Sequence, residues 1–171
     1  MELITQLKQD GIAKGLCRLW QGKLKPGLSV GELARLYIDG IDFCISEDYP
    51  TLPFLREHFK GKCEEYGVFI DDELMAHNKP SMVLNGACKA MVDCDEYSVS
   101  NIYIRHTSKA SVTVSGNAIA TIDLFDKAEL FLSVVNDGKA IVNVYGDEAR
   151  LTNCTPSNGN IKVIKKERKT Y

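Results

Sequence analysis

Proline is scarce in this 171-residue chain, at five residues, and aromatic side chains make up only 8% with a single tryptophan. So little proline excludes collagen-like and proline-rich disordered chains, while 44% hydrophobic and 26% charged residues fit a folded globular protein. No apolar run approaches the roughly 20 residues needed to cross a bilayer as a helix, so no membrane contact is expected. The opening Met1-Glu2-Leu3-Ile4-Thr5 lacks a basic stretch, an apolar stretch and a small-residue cleavage site, which predicts a cytoplasmic protein. Net charge is only −2, so no general affinity for nucleic acid is expected.

Metal and catalytic signatures are missing too. The six cysteines include no C-x-x-C pair, and His58, His77 and His106 stand apart, so the spacing holds no zinc site and the thiols read as reduced and structural. There is no P-loop, G-x-S-x-G, H-E-x-x-H or G-x-G-x-x-G, hence no catalytic residue and no cofactor is assigned. Asp123, Asp126, Asp137 and Asp147 lack the glycine-rich spacing of a calcium loop.

What the chain does have is a repeat. Lys89-Ala90-Met91-Val92-Asp93-Cys94 returns as Lys109-Ala110-Ser111-Val112-Thr113-Val114 and as Lys139-Ala140-Ile141-Val142-Asn143-Val144. Intervening units begin at Ser100, Asn117 and Lys127, and weaker ones at Glu148 and Gly159. The small residue falls at 90, 100, 110, 118, 128, 140, 149 and 159, a period near ten with steps of eight and twelve. Alternation with period two inside each unit and turn formers between units make each a short strand plus a turn. A fixed repeat means stacked units that bury one another's faces. Two units per rung give a parallel β-solenoid over 81–164, the small residues marking where its walls approach. Hairpin pairing into an antiparallel β-sandwich is the alternative.

The first 66 residues read instead as three short helices. Leu3, Ile4, Leu7, Leu16, Leu19 and Trp20 approximate helical spacing. Ser29-Val30-Gly31-Glu32 is a capping box opening a second helix that should stop near Ser46, ahead of Tyr49-Pro50. A third helix starts at Thr51 or Pro53 and ends by Gly67. The expected class is therefore α+β: a helical module 1–66, a linker or entry strand 67–80, repeats 81–164, and a basic tail 165–171.

Candidate contact residues fall in three places. Asp39 and Asp42, beside Tyr37 and Tyr49, suggest an acidic and aromatic docking surface. Outward repeat positions, chiefly Tyr103 and Phe131, suggest a second; Phe131 alternates outward between Leu130 and Leu132. Lys165, Lys166, Arg168 and Lys169 of the tail could hold a phosphate backbone or an acidic partner.

The segments Leu16-Cys17-Arg18-Leu19-Trp20, Tyr49-Pro50-Thr51-Leu52-Pro53-Phe54-Leu55-Arg56-Glu57-His58-Phe59 and Lys162-Val163-Ile164-Lys165-Lys166 resemble those of a group of small proteins from gut bacteria and their prophages. The repeat half resembles the short β-solenoids of adhesins and phage fibres. The first resemblance implies no residue roles; the second implies assembly, and a place within a phage particle as the alternative to the cytoplasm. The expected function is that of a non-enzymatic assembly protein meeting a protein partner or a second copy of itself. A small-ligand binder or enzyme using a groove between the modules, and a nucleic-acid or regulatory protein acting through the basic tail, are the alternatives.

Overall fold

A computed structural model describes residues 2–156 and 159–171. The chain divides into two compact units, Met1–Val68 with Tyr171, and Phe69–Thr170.

The first unit is helical, with five α-helices among the described residues in place of the three expected: α1 (Leu3–Ala13), α2 (Arg18–Lys23), α3 (Val30–Asp39), α4 (Ile41–Ser46) and α5 (Leu52–His58). Glycines make the difference. Gly15, with φ of 91°, lies just past α1 in a left-handed conformation that cannot continue a helix. Gly40 separates α3 from α4, and a Cβ there would meet the Trp20 ring at 3.2 Å, so the break also lets that ring pack close. The capping box forms as the spacing predicts: the Glu32 N–H donates to Ser29 Oγ at 3.2 Å and the Ser29 N–H to Glu32 Oε2 at 2.8 Å. Those bonds from Ser29 hold the Glu32 carboxyl below its ordinary range. Helix α4 stops at Ser46, before Tyr49-Pro50, and α5 begins after Thr51.

The second unit is a parallel β-solenoid of about five turns. Among the described residues its eleven strands are β1 (Val68–Ile70), β2 (Glu73–His77), β3 (Ser81–Asn85), β4 (Lys89–Cys94), β5 (Val99–Ile104), β6 (Lys109–Val114), β7 (Ile119–Leu124), β8 (Glu129–Val134), β9 (Lys139–Tyr145), β10 (Arg150–Asn153) and β11 (Asn160–Lys166). They alternate between two sheets, ordered β1-β3-β5-β7-β9-β11 and β2-β4-β6-β8-β10. Pairing is parallel throughout the registered ladders, which an antiparallel sandwich cannot give. Strand structure already begins at Val68, so the stretch 67–80 holds two strands of the sheets and no free linker.

Register corrects the steps of eight and twelve. Ala90 pairs with Ala110 and Ala110 with Leu130 in one sheet; Ser100 pairs with Ala120 and Ala120 with Ala140 in the other. One rung is therefore twenty residues and each strand with its turn ten, without interruption from β3 to β9. Ala118 and Ala128 belong to a different column, at the corners, where Cys88, Ser108 and Gly138 are also buried.

The turns explain why the period is so strict. Residues 95–98, 105–108, 115–118, 125–128 and 135–138 each close with a bond from the fourth N–H to the first carbonyl, all at 3.1 Å. The second residue of each is left-handed: Glu96, His106, Gly116, Asp126 and Asn136 have φ between 55° and 60°. Asp, Asn, His and Gly are the residues that tolerate this region, and glutamate is the exception. Turns also bond from rung to rung, Thr107 N–H to Gly86 O at 3.0 Å, Asn117 N–H to Glu96 O at 2.7 Å and Lys127 N–H to His106 O at 2.9 Å. An inserted residue would break this ladder, as well as flipping the strand's side chains to the wrong face.

Candidate functional site

The inward strand positions fill the solenoid interior. Val92, Val112 and Leu132 line one wall and Ile102, Ile122 and Val142 the other, all buried. Chemistry or recognition must therefore come from outward positions, turns or ends.

The sheet β10-β8-β6-β4-β2 turns an ordered set of side chains outward. In register, Met75, Met91, Ser111, Phe131 and Thr152 form one row across the five strands. Met75 is 79% exposed, Met91 59% and Phe131 43%. Beside it runs a charged row, Glu73, Lys89, Lys109, Glu129 and Arg150, in which Lys109 Nζ pairs with Glu129 at 3.3 Å. Small Ser111 between larger neighbours leaves an open groove of about 570 Å³, walled by Met75, Met91 and Phe131 and edged by Glu73, Lys89 and Lys109. The outward position expected for Phe131 is thus observed. The two methionines of the row were missed; the signal was there, since Met91 alternates outward in the same way as Phe131.

The other sheet also turns apolar side chains outward, Val99, Ile119, Ile141 and Val163, without a thioether or an aromatic ring among them, and several polar groups elsewhere are hydrogen-bonded. Asn143 Nδ2 donates to Asp123 Oδ1 at 2.7 Å across β7 and β9. Asp95 Oδ1 accepts from Asn78 Nδ2 at 2.7 Å and lies 3.0 Å from His77 Nε2, bonds that hold its carboxyl below the usual range. His106 sits at a corner: its Nδ1 accepts the Gly86 N–H at 2.9 Å, and its own N–H donates to Asp126 Oδ2 at 2.9 Å. With Nδ1 an acceptor, the neutral ring carries its proton on Nε2, and the imidazole acts as one more rung-to-rung link. Asp137 and Asp147 are exposed at successive corners, so the carboxylates do not gather along one edge. Among the described residues, no three His, Cys, Asp or Glu side chains are grouped to hold a metal.

Other candidate residues separate. Tyr37 and Tyr49 are buried, and Tyr49 Oη donates to the Leu7 carbonyl at 2.7 Å, so neither forms a surface with Asp39 and Asp42, which are exposed. Helical amphipathicity is the reason: Tyr37 falls on the apolar stripe of α3 with Leu33 and Ala34. Burial pushes the Tyr49 phenol well above its ordinary range. Tyr103 is half-buried on β5, between Val83 and Asp123 in register. The tail is not wholly a tail, because Lys165 and Lys166 belong to β11, paired with Val144 and Tyr145. β11 ends its sheet, and lysines on a terminal strand discourage further strands from adding. Arg168 and Lys169 are exposed, with the Gly146 N–H bonded to the Arg168 carbonyl at 3.0 Å.

Inside the helical unit lies an apolar cavity of about 50 Å³ among Leu7, Leu16, Trp20, Leu33, Tyr37 and Phe43. Small-molecule sites occupy roughly 300–1,000 Å³, so this one is a packing gap.

The thiols give an independent check on the inside and outside of both units. Cys17 and Cys154 are exposed, whereas Cys44, Cys63, Cys88 and Cys94 are buried. Burial raises the Cys88 and Cys94 thiols further above neutrality, keeping them protonated. A thiol-reactive chromophore should label two cysteines of the native protein rapidly and all six after denaturation. Rapid native labelling of Cys88 or Cys94 would contradict the buried corner and strand placement.

Fold and surface together define a β-solenoid repeat protein preceded by a small helical unit. Comparison with protein-family models, curated proteins and solved structures gave no match. No helix among the described residues is long and apolar enough to cross a membrane.

Proposed function

We propose that this is a non-enzymatic interaction protein, and that it meets another protein chain through the outward face of β2, β4, β6, β8 and β10. The exposed row Met75-Met91-Ser111-Phe131 carries this reading. Two flexible thioethers and an aromatic ring are unusual on a solvated sheet, and side chains of this kind are enriched at protein interfaces. Full burial of Phe131 contributes about 1.5–3 kcal/mol, and the flanking charges supply orientation. The rigid solenoid holds the row without any ordering cost to its backbone, which favours affinity.

Site-specific photo-cross-linking in cells that make the protein tests this. A cross-linker at position 131 should give one discrete protein adduct, and a cross-linker at Thr121, outward on the other sheet, should give none. No adduct from 131, or the same adducts from both positions, would remove the reading. So would turnover of a small molecule that His106→Ala abolishes.

A further inference from the structure

We infer that the partner of this face is a second copy of the chain, docked with its rungs in reverse order about a two-fold axis running along β6. The inference rests on the reading of the face as an interaction surface and adds the identity and geometry of what covers it.

The argument is charge complementarity. The charged row reads Glu73, Lys89, Lys109, Glu129, Arg150 from the first strand of this sheet to the last. Two such faces brought together with rung order reversed about the middle strand set Glu73 against Arg150 of the other copy, and Lys89 against its Glu129. Each contact occurs twice by symmetry, so four opposite-charge contacts form. Within the charged row only Lys109 faces its own equivalent, and each Lys109 is already drawn to Glu129 of its own chain at 3.3 Å. The same reversal lays Phe131 over Met91 of the other copy, a sulfur–aromatic contact, and puts the two small Ser111 residues at the centre, where the backbones can approach. The adjacent row His77, Asp93, Thr113, Ser133 then sets Asp93 against Ser133 and brings no like charges together.

The other two-fold axis, along the stacking direction, is poorer. It would place the charged row against His77, Asp93, Thr113 and Ser133, leaving Lys109 and Glu129 facing uncharged groups and setting Phe131 directly on Phe131. Five strands about 4.8 Å apart and some 20 Å long offer a modest area, so the dimer should be micromolar and the protein monomeric when dilute.

Charge reversal with complementation tests both partner and geometry. Sedimentation equilibrium over a wide concentration range should show a reversible dimer of the full chain. Lys89→Glu sets glutamate against Glu129, and Glu129→Lys sets lysine against Lys89, so each variant alone should dimerise at least about tenfold more weakly. Mixed together, the two variants should form a heterodimer, because every reversed contact is then complementary; the double variant in one chain should regain the homodimer. These positions point outward, and circular dichroism with melting confirms that each variant is folded. A wild-type chain that stays monomeric at high concentration overturns the second copy, yet a discrete adduct from position 131 would still leave the interaction face standing with a foreign partner. A dimer indifferent to both reversals, or single variants that fail to rescue one another, overturns the reversed arrangement.

Discussion

Leu132→Ala should destabilise the protein by about 2–5 kcal/mol, the usual cost of truncating a fully buried leucine. Leu132 lies in β8 with no exposed surface, beside Val112 of β6, and closes the interior from one wall. The solenoid interior is a single layer of inward side chains from two facing sheets, so the removed atoms have no second layer that can slide in to fill the space. Inward neighbours are fixed by the backbone ladders on both sides, β6 and β10, which limits collapse further. Midpoint temperature should fall by roughly 4–20 °C for a chain of this size. Ser133→Ala, one residue on and facing outward, should move it by no more than about a degree or two. Equal melting of the two variants would mean that the inward and outward faces of β8 are wrongly assigned.

Much of this fold was legible because a solenoid writes its geometry into the sequence many times. Val92, Ile102, Val112, Ile122 and Val142 all fall on inward positions, and averaging over rungs outweighs the ambiguity of any one short strand. What misled was the small residue. Two columns carry it, one on the strands (Ala90, Ser100, Ala110, Ala120, Ala140) and one at the corners (Cys88, Ser108, Ala118, Ala128, Gly138), two positions apart. Ala118 precedes the strand's Ala120 and Ala128 precedes Leu130, so a series taken through the corner residues there steps by eight on entering and by twelve on leaving. The left-handed residues give a cleaner ruler: 86, 96, 106, 116, 126, 136 and 146 are all at positive φ, but Glu96 and His106 do not announce it.

The helical unit was read less completely. Its apolar spacing and capping box were visible, whereas the close seating of Trp20 against Gly40 is a contact between residues far apart in sequence. The candidate surface was half legible for a similar reason. Alternation marks Phe131 and Met91 as outward, but only register shows that residues 75, 91, 111, 131 and 152 stand in one row. The unequal step between Met75 and Met91, sixteen residues where later rungs take twenty, hid the first member. Tyr37 and Tyr49 stand beside the acidic residues in sequence; helix periodicity takes Tyr37 inside, and Tyr49, past the end of α4, is buried with its hydroxyl on the Leu7 carbonyl.

The corner column leads to the second large effect, that of Ala128→Leu. Ala128 has no exposed surface and its N–H closes the turn onto Phe125 at 3.1 Å. The buried residues of this column are alanine, serine, cysteine or glycine, which sets a size limit where the chain passes from one wall to the other. Gly138 shows how tight that limit becomes: a Cβ there would lie 2.6 Å from the Val114 carbonyl oxygen and 2.9 Å from its carbon. Both are backbone atoms of the rung ladder, so neither can swing aside like the tip of a side chain. A leucine at 128 must displace inward side chains or open the turn, and overpacking of this kind costs about 1–3 kcal/mol. Gly138→Ala should be destabilising in the same direction although it adds one carbon atom, because the contact is with the main chain. Chemical denaturation of the three proteins checks this, and unchanged midpoints for both variants would refute the tight corner. A wild-type midpoint for Gly138→Ala alone, with Ala128→Leu still destabilised, would locate the crowding in the side-chain interior rather than in the turn ladder.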